Sequence, residues 1–320
     1  MQGLQKGEMP EGLLCEERLR EGEEKKKIMF IGLHDSDCTG FPNYALIKIA
    51  AYHKARGDRV EWWDAITKYD KVYSSKVFTF TEENLYLPDK TIKGGTGYGI
   101  YRDLPQEIDD AFPDYSLYPD CDYAIGFLTR GCVNKCPWCV VPRKEGQIKP
   151  YRDWQDIRRN DTKRIVFMDN NVLASEHGVR QMEKMIEGGV RIDFNQGMEA
   201  RRVTPEIAEI ISRLKWIRFI RFACDTDAAI DALDKAVNLL MRYGVRADKM
   251  FVYMLITDDI GSAERRAIHL REIGVVPFGQ PYRDFESNKE PTRDMKRMAR
   301  WINRKAIFTE CKTFAEYKRL

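Results

Sequence analysis

From residue 26 onward, short apolar runs alternate with longer amphipathic stretches, and the two lengths separate strands from helices. KKIMFIGLHDSD, residues 26–37, predicts a buried strand running into a polar loop. NYALIKIAAYHKARG follows as a helix, with Gly57 placed to close it. DRVEWWD predicts the next strand, and DKVYSSKVF and KTIKGG are further candidates. This βαβ opening is of the doubly wound type.

A second series begins at Tyr123, with strands predicted at YAIGFLT, RIVFMDN, RIDFNQG, WIRFIRFACD, MFVYMLITDD and VVPFGQPYRD. Helical stretches separate them. In TPEIAEIISRLK, Thr204 can cap, Pro205 suits the first helical position, and Ile207, Ile210, Ile211 and Leu214 share one apolar face. DAAIDALDKAVNLLMRYG ends at Gly244 in the same manner as the first helix. Six β/α units in series imply a parallel sheet, either doubly wound or curled into part of a barrel.

At 320 residues the chain exceeds what one hydrophobic core usually serves, and two domains are expected. The division read here is a charged tail at 1–24, a Rossmann-like domain at 25–120, a barrel-like domain at 121–288 and a basic helical extension at 289–320. With 43% hydrophobic and 32% charged residues and no long apolar run, the composition is that of a soluble globular protein. The N-terminus has no apolar core of a secretory signal, so a cytoplasmic, reducing compartment is expected, where cysteines serve as metal ligands or catalysts more than as disulfides.

That expectation bears on TRGCVNKCPWC, residues 129–139, which carries three of the eight cysteines directly after the first strand of the second series. Active sites of parallel α/β sheets gather at the carboxyl ends of strands, so the loop sits where chemistry is expected. Three readings compete. A structural zinc site wants four ligands, commonly from two pairs, and there is no second CxxC. A thioredoxin-like dithiol matches CPWC but leaves Cys132 without a role. An iron–sulfur cluster held by three thiolates would leave one iron open to a substrate or cofactor.

The motif GCVNKCPWC resembles the signature of the radical S-adenosylmethionine superfamily, CxxxCxxC with an aromatic before the last cysteine on the loop after the first barrel strand. The resemblance implies a partial (β/α)6 TIM-type barrel in which Cys132, Cys136 and Cys139 ligate a 4Fe-4S cluster. The fourth iron would chelate S-adenosyl-L-methionine, whose reductive cleavage yields a 5′-deoxyadenosyl radical that abstracts hydrogen from a substrate. A one-electron donor such as a flavodoxin or ferredoxin is implied as partner. Trp138 would lie near the adenine. FMDNN places Asp169, Asn170 and Asn171 where the family carries a Gly-Gly-Glu-like element, although the glycines are missing. NQGMEAR resembles a related segment with Gln196, Glu199 and Arg201 facing the cofactor, and Asp225 and Tyr253 close the set on the fourth and fifth strands. Taken without the resemblance, each of these polar residues reads equally well as a strand-end or helix-capping group.

Residues 25–120 resemble the cobalamin-binding domain found ahead of many such barrels, which implies cobalamin as a further cofactor and methyl transfer as one outcome. The loop DSDCTG and the pair Gly94-Gly95 carry this resemblance, and Asp37 stands where the family has its cobalt-ligating histidine. A carboxylate is a poorer ligand than imidazole for a soft, reducible metal. His34 is next to the loop and reads as a surface or capping histidine. Cys15, Cys38, Cys121, Cys224 and Cys311 show no ligand spacing, which argues against the second cluster of the related methylthiotransferases.

Charge adds one feature. Residues 289–320 carry a net charge of +6, against −3 for the remainder. RDMKRMARWINRKAIF reads as an amphipathic helix with Met295, Met298, Trp301 and Ile302 on its apolar side, closing the barrel with a basic outer face. The same face suits a contact to nucleic acid. The expected function is a radical S-adenosylmethionine enzyme; the alternatives are an inactive iron–sulfur or zinc module and a radical-based nucleic-acid modification enzyme.

Overall fold

Strand β1 (Phe30–Asp35) buries Ile31 and Leu33 against the helix Tyr44–Ala55, whose own Leu46 and Ala50 complete the contact. Asn43 caps that helix by accepting a hydrogen bond from the Leu46 amide. β2 (Arg59–Trp62), β3 (Lys71–Ser75) and β4 (Ile92–Gly94) join β1 in a wholly parallel sheet of order β2-β1-β3-β4. Its order reverses between β1 and β3, the place where sheets of this kind open a crevice at their carboxyl ends. The computed structural model describes residues 27–284, 286–287 and 289–319; the charged tail and Cys15 lie outside the described residues.

The second series opens with β5 (Ala124–Gly126), followed by a short antiparallel hairpin of β6 (Thr129–Arg130) and β7 (Lys149–Pro150). β8 (Arg164–Phe167), β9 (Arg191–Phe194) and β10 (Lys215–Trp216) pair in parallel in the order β10-β9-β8-β5. β11 (Ile220–Ala223), β12 (Met250–Ile256) and β13 (Val276–Pro281) form a further parallel sheet in chain order. A parallel bridge between Met198 and Phe222 links the two sheets. The chain is therefore α/β with mostly parallel sheets.

One expected strand is divided. WIRFIRFACD becomes β10 and β11, because Lys215 and Trp216 extend the edge of β9 and the chain then bends at 217–218 before Ile220 pairs with Met250. The helix Pro205–Arg213 starts as expected, with Thr204 accepting from the Ile207 amide and proline in its first turn. Ala208 and Ile211 are its buried face, with Ile207 and Ile210 half-buried beside them.

The stretch RDMKRMARWINRKAIF is two helices, Arg293–Asn303 and Lys305–Glu310, broken at Arg304, whose ψ of 94° is not helical, and a third, Phe314–Arg319, follows. The four expected apolar residues, Met295, Met298, Trp301 and Ile302, are all buried, and the first helix packs on β13. Its last residue, Asn303, exchanges two hydrogen bonds with the backbone of Gly279, at 2.8 and 2.9 Å, satisfying groups of the edge strand that no further strand pairs. A third apolar cluster, around Ile47, Tyr115, Ile125 and Val166, joins the two halves of the chain. Among the described residues no helix is long and apolar enough to cross a membrane.

Candidate functional site

The cysteine loop leaves the sheet through a closed neck. β6 and β7 pair at its base, and the Cys132 amide donates to the Gly146 carbonyl at 3.1 Å. Gly131 turns the chain with φ +84°, and a Cβ there would collide with the Gln147 carbonyl, so the position requires glycine. Glu145, whose side chain is 6% exposed, accepts from Arg130 Nε and Nη2 (both 3.0 Å), the Gly131 amide (2.9 Å) and Asn170 Nδ2 (3.0 Å).

Asp169 supports the strand just before the loop. It is buried, and its carboxylate accepts from the Leu128 amide (3.1 Å), the Thr129 amide (2.6 Å) and the Thr129 hydroxyl (2.7 Å). Burial pushes its pKa up to about 6 against the lowering effect of those bonds. Its contacts make it a support of the strand that leads into the loop.

Glu199 fastens the loop from the other side. Its Oε2 accepts from Asn171 Nδ2 (2.7 Å), Arg202 Nε (2.9 Å) and Asn134 Nδ2 (3.1 Å), and Arg201 pairs with its second oxygen. Burial raises the carboxyl, but the hydrogen bonds outweigh it and hold the group below its ordinary pKa. Asn134 lies between Cys132 and Cys136, so this tether acts on the cysteine loop itself.

Asn171 is buried between the two. Its Nδ2 also faces Cys132 Sγ at 3.5 Å, and its Oδ1 is a buried acceptor with no partner. A buried orphan acceptor is costly, and beside a cysteine loop it marks a place for a donor group of a ligand.

The three thiols are free and half-buried. Burial raises Cys136 and Cys139, and the neighbouring thiols raise them further, with Asp225 adding to both. Among the described residues no three His, Cys, Asp or Glu side chains are gathered to hold a single metal ion.

No family model and no curated protein matches the chain. The remaining expectations rest on the geometry alone. Trp138 is half-buried on the loop, and Asp225, raised by burial, accepts from the Leu255 amide at the end of β11. Gln196 is exposed and bonded to Asn195, and Tyr253 is turned to Arg221 Nη1 and the Asn195 carbonyl, both at 3.0 Å. Arg221 in turn pairs with Asp193, so Tyr253 belongs to a buried network in the strands. Glu145 was not expected, though it is the single acidic residue among five Lys or Arg in 129–150, and an isolated acid in a basic stretch is a signal of pairing.

The N-terminal crevice does not fit cobalamin. Residues 77–81 and Tyr98 meet its loop: Asp37 accepts from the Val77 amide and the Thr81 hydroxyl, both at 2.6 Å, and Tyr98 bonds Ser74 and Ser36. Gly95, at φ +103°, and Gly97 lie so close to Lys76 that a Cβ at either would clash, so these glycines serve the chain's own packing. His34 is half-buried, bonded to Ser74 and Asn84, and is neither a surface nor a capping group. Cys38, Cys121 and Cys224 hydrogen-bond locally and separately.

Proposed function

We propose that this chain is a radical S-adenosylmethionine enzyme whose 4Fe-4S cluster is held by Cys132, Cys136 and Cys139. The observation that carries the reading is the pinned cysteine loop set beside the orphan acceptor of Asn171. On this reading residues 121–288 are a partial (β/α)6 barrel, supported by strands that follow one another in parallel and in chain order. A bound cluster with S-adenosylmethionine supplies one-electron cleavage of the sulfonium.

The chain's own residues do the holding. Asn171 Oδ1, unpartnered in the chain, would accept from the amino group of S-adenosylmethionine while its Nδ2 stays on Glu199. Glu199 keeps Asn134, and with it the middle of the loop, against β9. Asp225, facing the thiols, is placed to accept from a ribose hydroxyl, and Trp138 to cover the adenine. The electron comes from a small redox protein in a reducing compartment. Cobalamin and methyl transfer are not part of the proposal, because Asp37 is bonded to Val77 and Thr81 and the paired glycines are packed on Lys76.

The test is anaerobic preparation followed by metal and product analysis. Wild type is expected to hold about four irons and four sulfides, to lose them when all three cysteines become alanine, and to form 5′-deoxyadenosine once reduced. Stoichiometric zinc, or iron kept by the triple variant, overturns the reading. Iron without 5′-deoxyadenosine identifies an inactive iron–sulfur module.

A further inference from the structure

We propose that Glu145 is the positioning residue of the cysteine loop, fixing Cys132 and balancing charge beside it. This rests on the cluster reading above and adds a residue that the motif does not contain.

The geometry is specific to the neck. One carboxylate holds three separate pieces of chain: Arg130 and Gly131 where the loop begins, its own segment where the loop ends, and Asn170 after β8. The Gly131 amide it accepts from belongs to the residue next to Cys132, and the Cys132 amide is bonded to Gly146, the residue after Glu145. Two adjacent residues at one end of the loop are thus tied to two adjacent residues at the other. Asn170 extends the tie to Asn171, which faces Cys132 Sγ.

Arg130 is the matching cation. Its guanidinium lies 4.2 Å from the centre of the Phe127 ring and 5.6 Å from that of Tyr151, so rings fix it while Glu145 takes two of its donors in parallel. The pair is neutral as a unit. Breaking a buried pair by removing one partner leaves the other charge uncompensated, and here the sign of the leftover charge depends on which partner is removed. A net positive charge near an iron–sulfur cluster favours its reduced state, and a net negative charge opposes it.

The experiment uses the full chain and two variants, Glu145→Gln and Arg130→Gln. Hydrogen exchange on metal-free protein reads the loop directly: amides of 131–134 are protected in wild type and exchange at least tenfold faster in Glu145→Gln, with the thermal melt of the remainder retained. After anaerobic loading, iron is released to a chelator about tenfold faster from Glu145→Gln. Its midpoint potential moves positive, and that of Arg130→Gln moves negative. Opposite shifts are a signature that loosened packing alone does not produce, and either variant is informative if the other fails to fold. Wild-type exchange in Glu145→Gln, or shifts of one sign in both variants, overturns the proposal. If wild type takes up no iron while the exchange difference persists, the cluster reading fails and the loop-fixing role stands.

Discussion

At the scale of single residues, the groups that matter are polar side chains taken out of water. Lys48 is the clearest outside the candidate site. It is buried, donates to the Asp109 carbonyl, and has its pKa pulled down to about 8 by burial. The unfolded chain binds this proton more tightly than the folded one, so protonation favours unfolding. The protein should gain stability as pH rises from about 8 toward the ordinary lysine value of 10.5. Lys48→Met removes the buried cation while Arg152 still serves the Asp109 carbonyl at 3.1 Å. Stabilisation by up to roughly 3 kcal/mol at pH 7 is expected, shrinking above pH 8, as read by denaturant melts across pH. A gap independent of pH would mean that packing, and not charge, sets the difference.

At the scale of elements, capping and periodicity explain most of what formed. Thr204 with Pro205 starts its helix, and Thr292 accepting from the Met295 amide starts the C-terminal one. Segment 76–98 follows no such rule: it is held by Asp37, the hydroxyls of Ser36 and Ser74 and close-packed glycines. Asp37→Ala should therefore cost about 1–3 kcal/mol and open the segment to proteolysis near 77–86. Asp37→His should do likewise and retain no more hydroxocobalamin than wild type on desalting. Stronger retention by the histidine variant would mean that the crevice opens to the cofactor.

At the scale of the whole molecule, two contacts close the parallel sheets. Arg152 reaches from beyond β7 to Asp110 at 2.5 Å and to Asp109, tying the second series to the first. The helix Arg293–Asn303 covers β13, and its Trp301 is fully buried with Nε1 donating to the Cys311 carbonyl at 3.0 Å. Trp301→Ala leaves a large cavity and an unpaired carbonyl, and a loss of about 3–5 kcal/mol is expected in equilibrium unfolding. A loss below about 1 kcal/mol would show that the C-terminal helices do not stabilise the sheet that ends in β13.

The parallel α/β class, the alternation of strands and helices, the cap at Thr204 and the cysteine loop after β5 were legible because they are set by neighbours in the chain: periodicity, capping residues and spacing act over a few positions. The division of WIRFIRFACD, the break at Arg304 and the bonding of Asp37 to Val77 and Thr81 were decided by partners far away in sequence, such as β9 and β12 for the divided strand. The same holds within the candidate site. The thiols could be named from their spacing, but that Asp169 supports Thr129, that Asn171 keeps a free acceptor, and that Glu145 closes the neck depend on which backbone amides and side chains arrive beside a carboxylate or amide once the sheet has formed. Local sequence specifies what a residue is able to bond, and only the tertiary structure settles which of those bonds are made and which are left for a ligand.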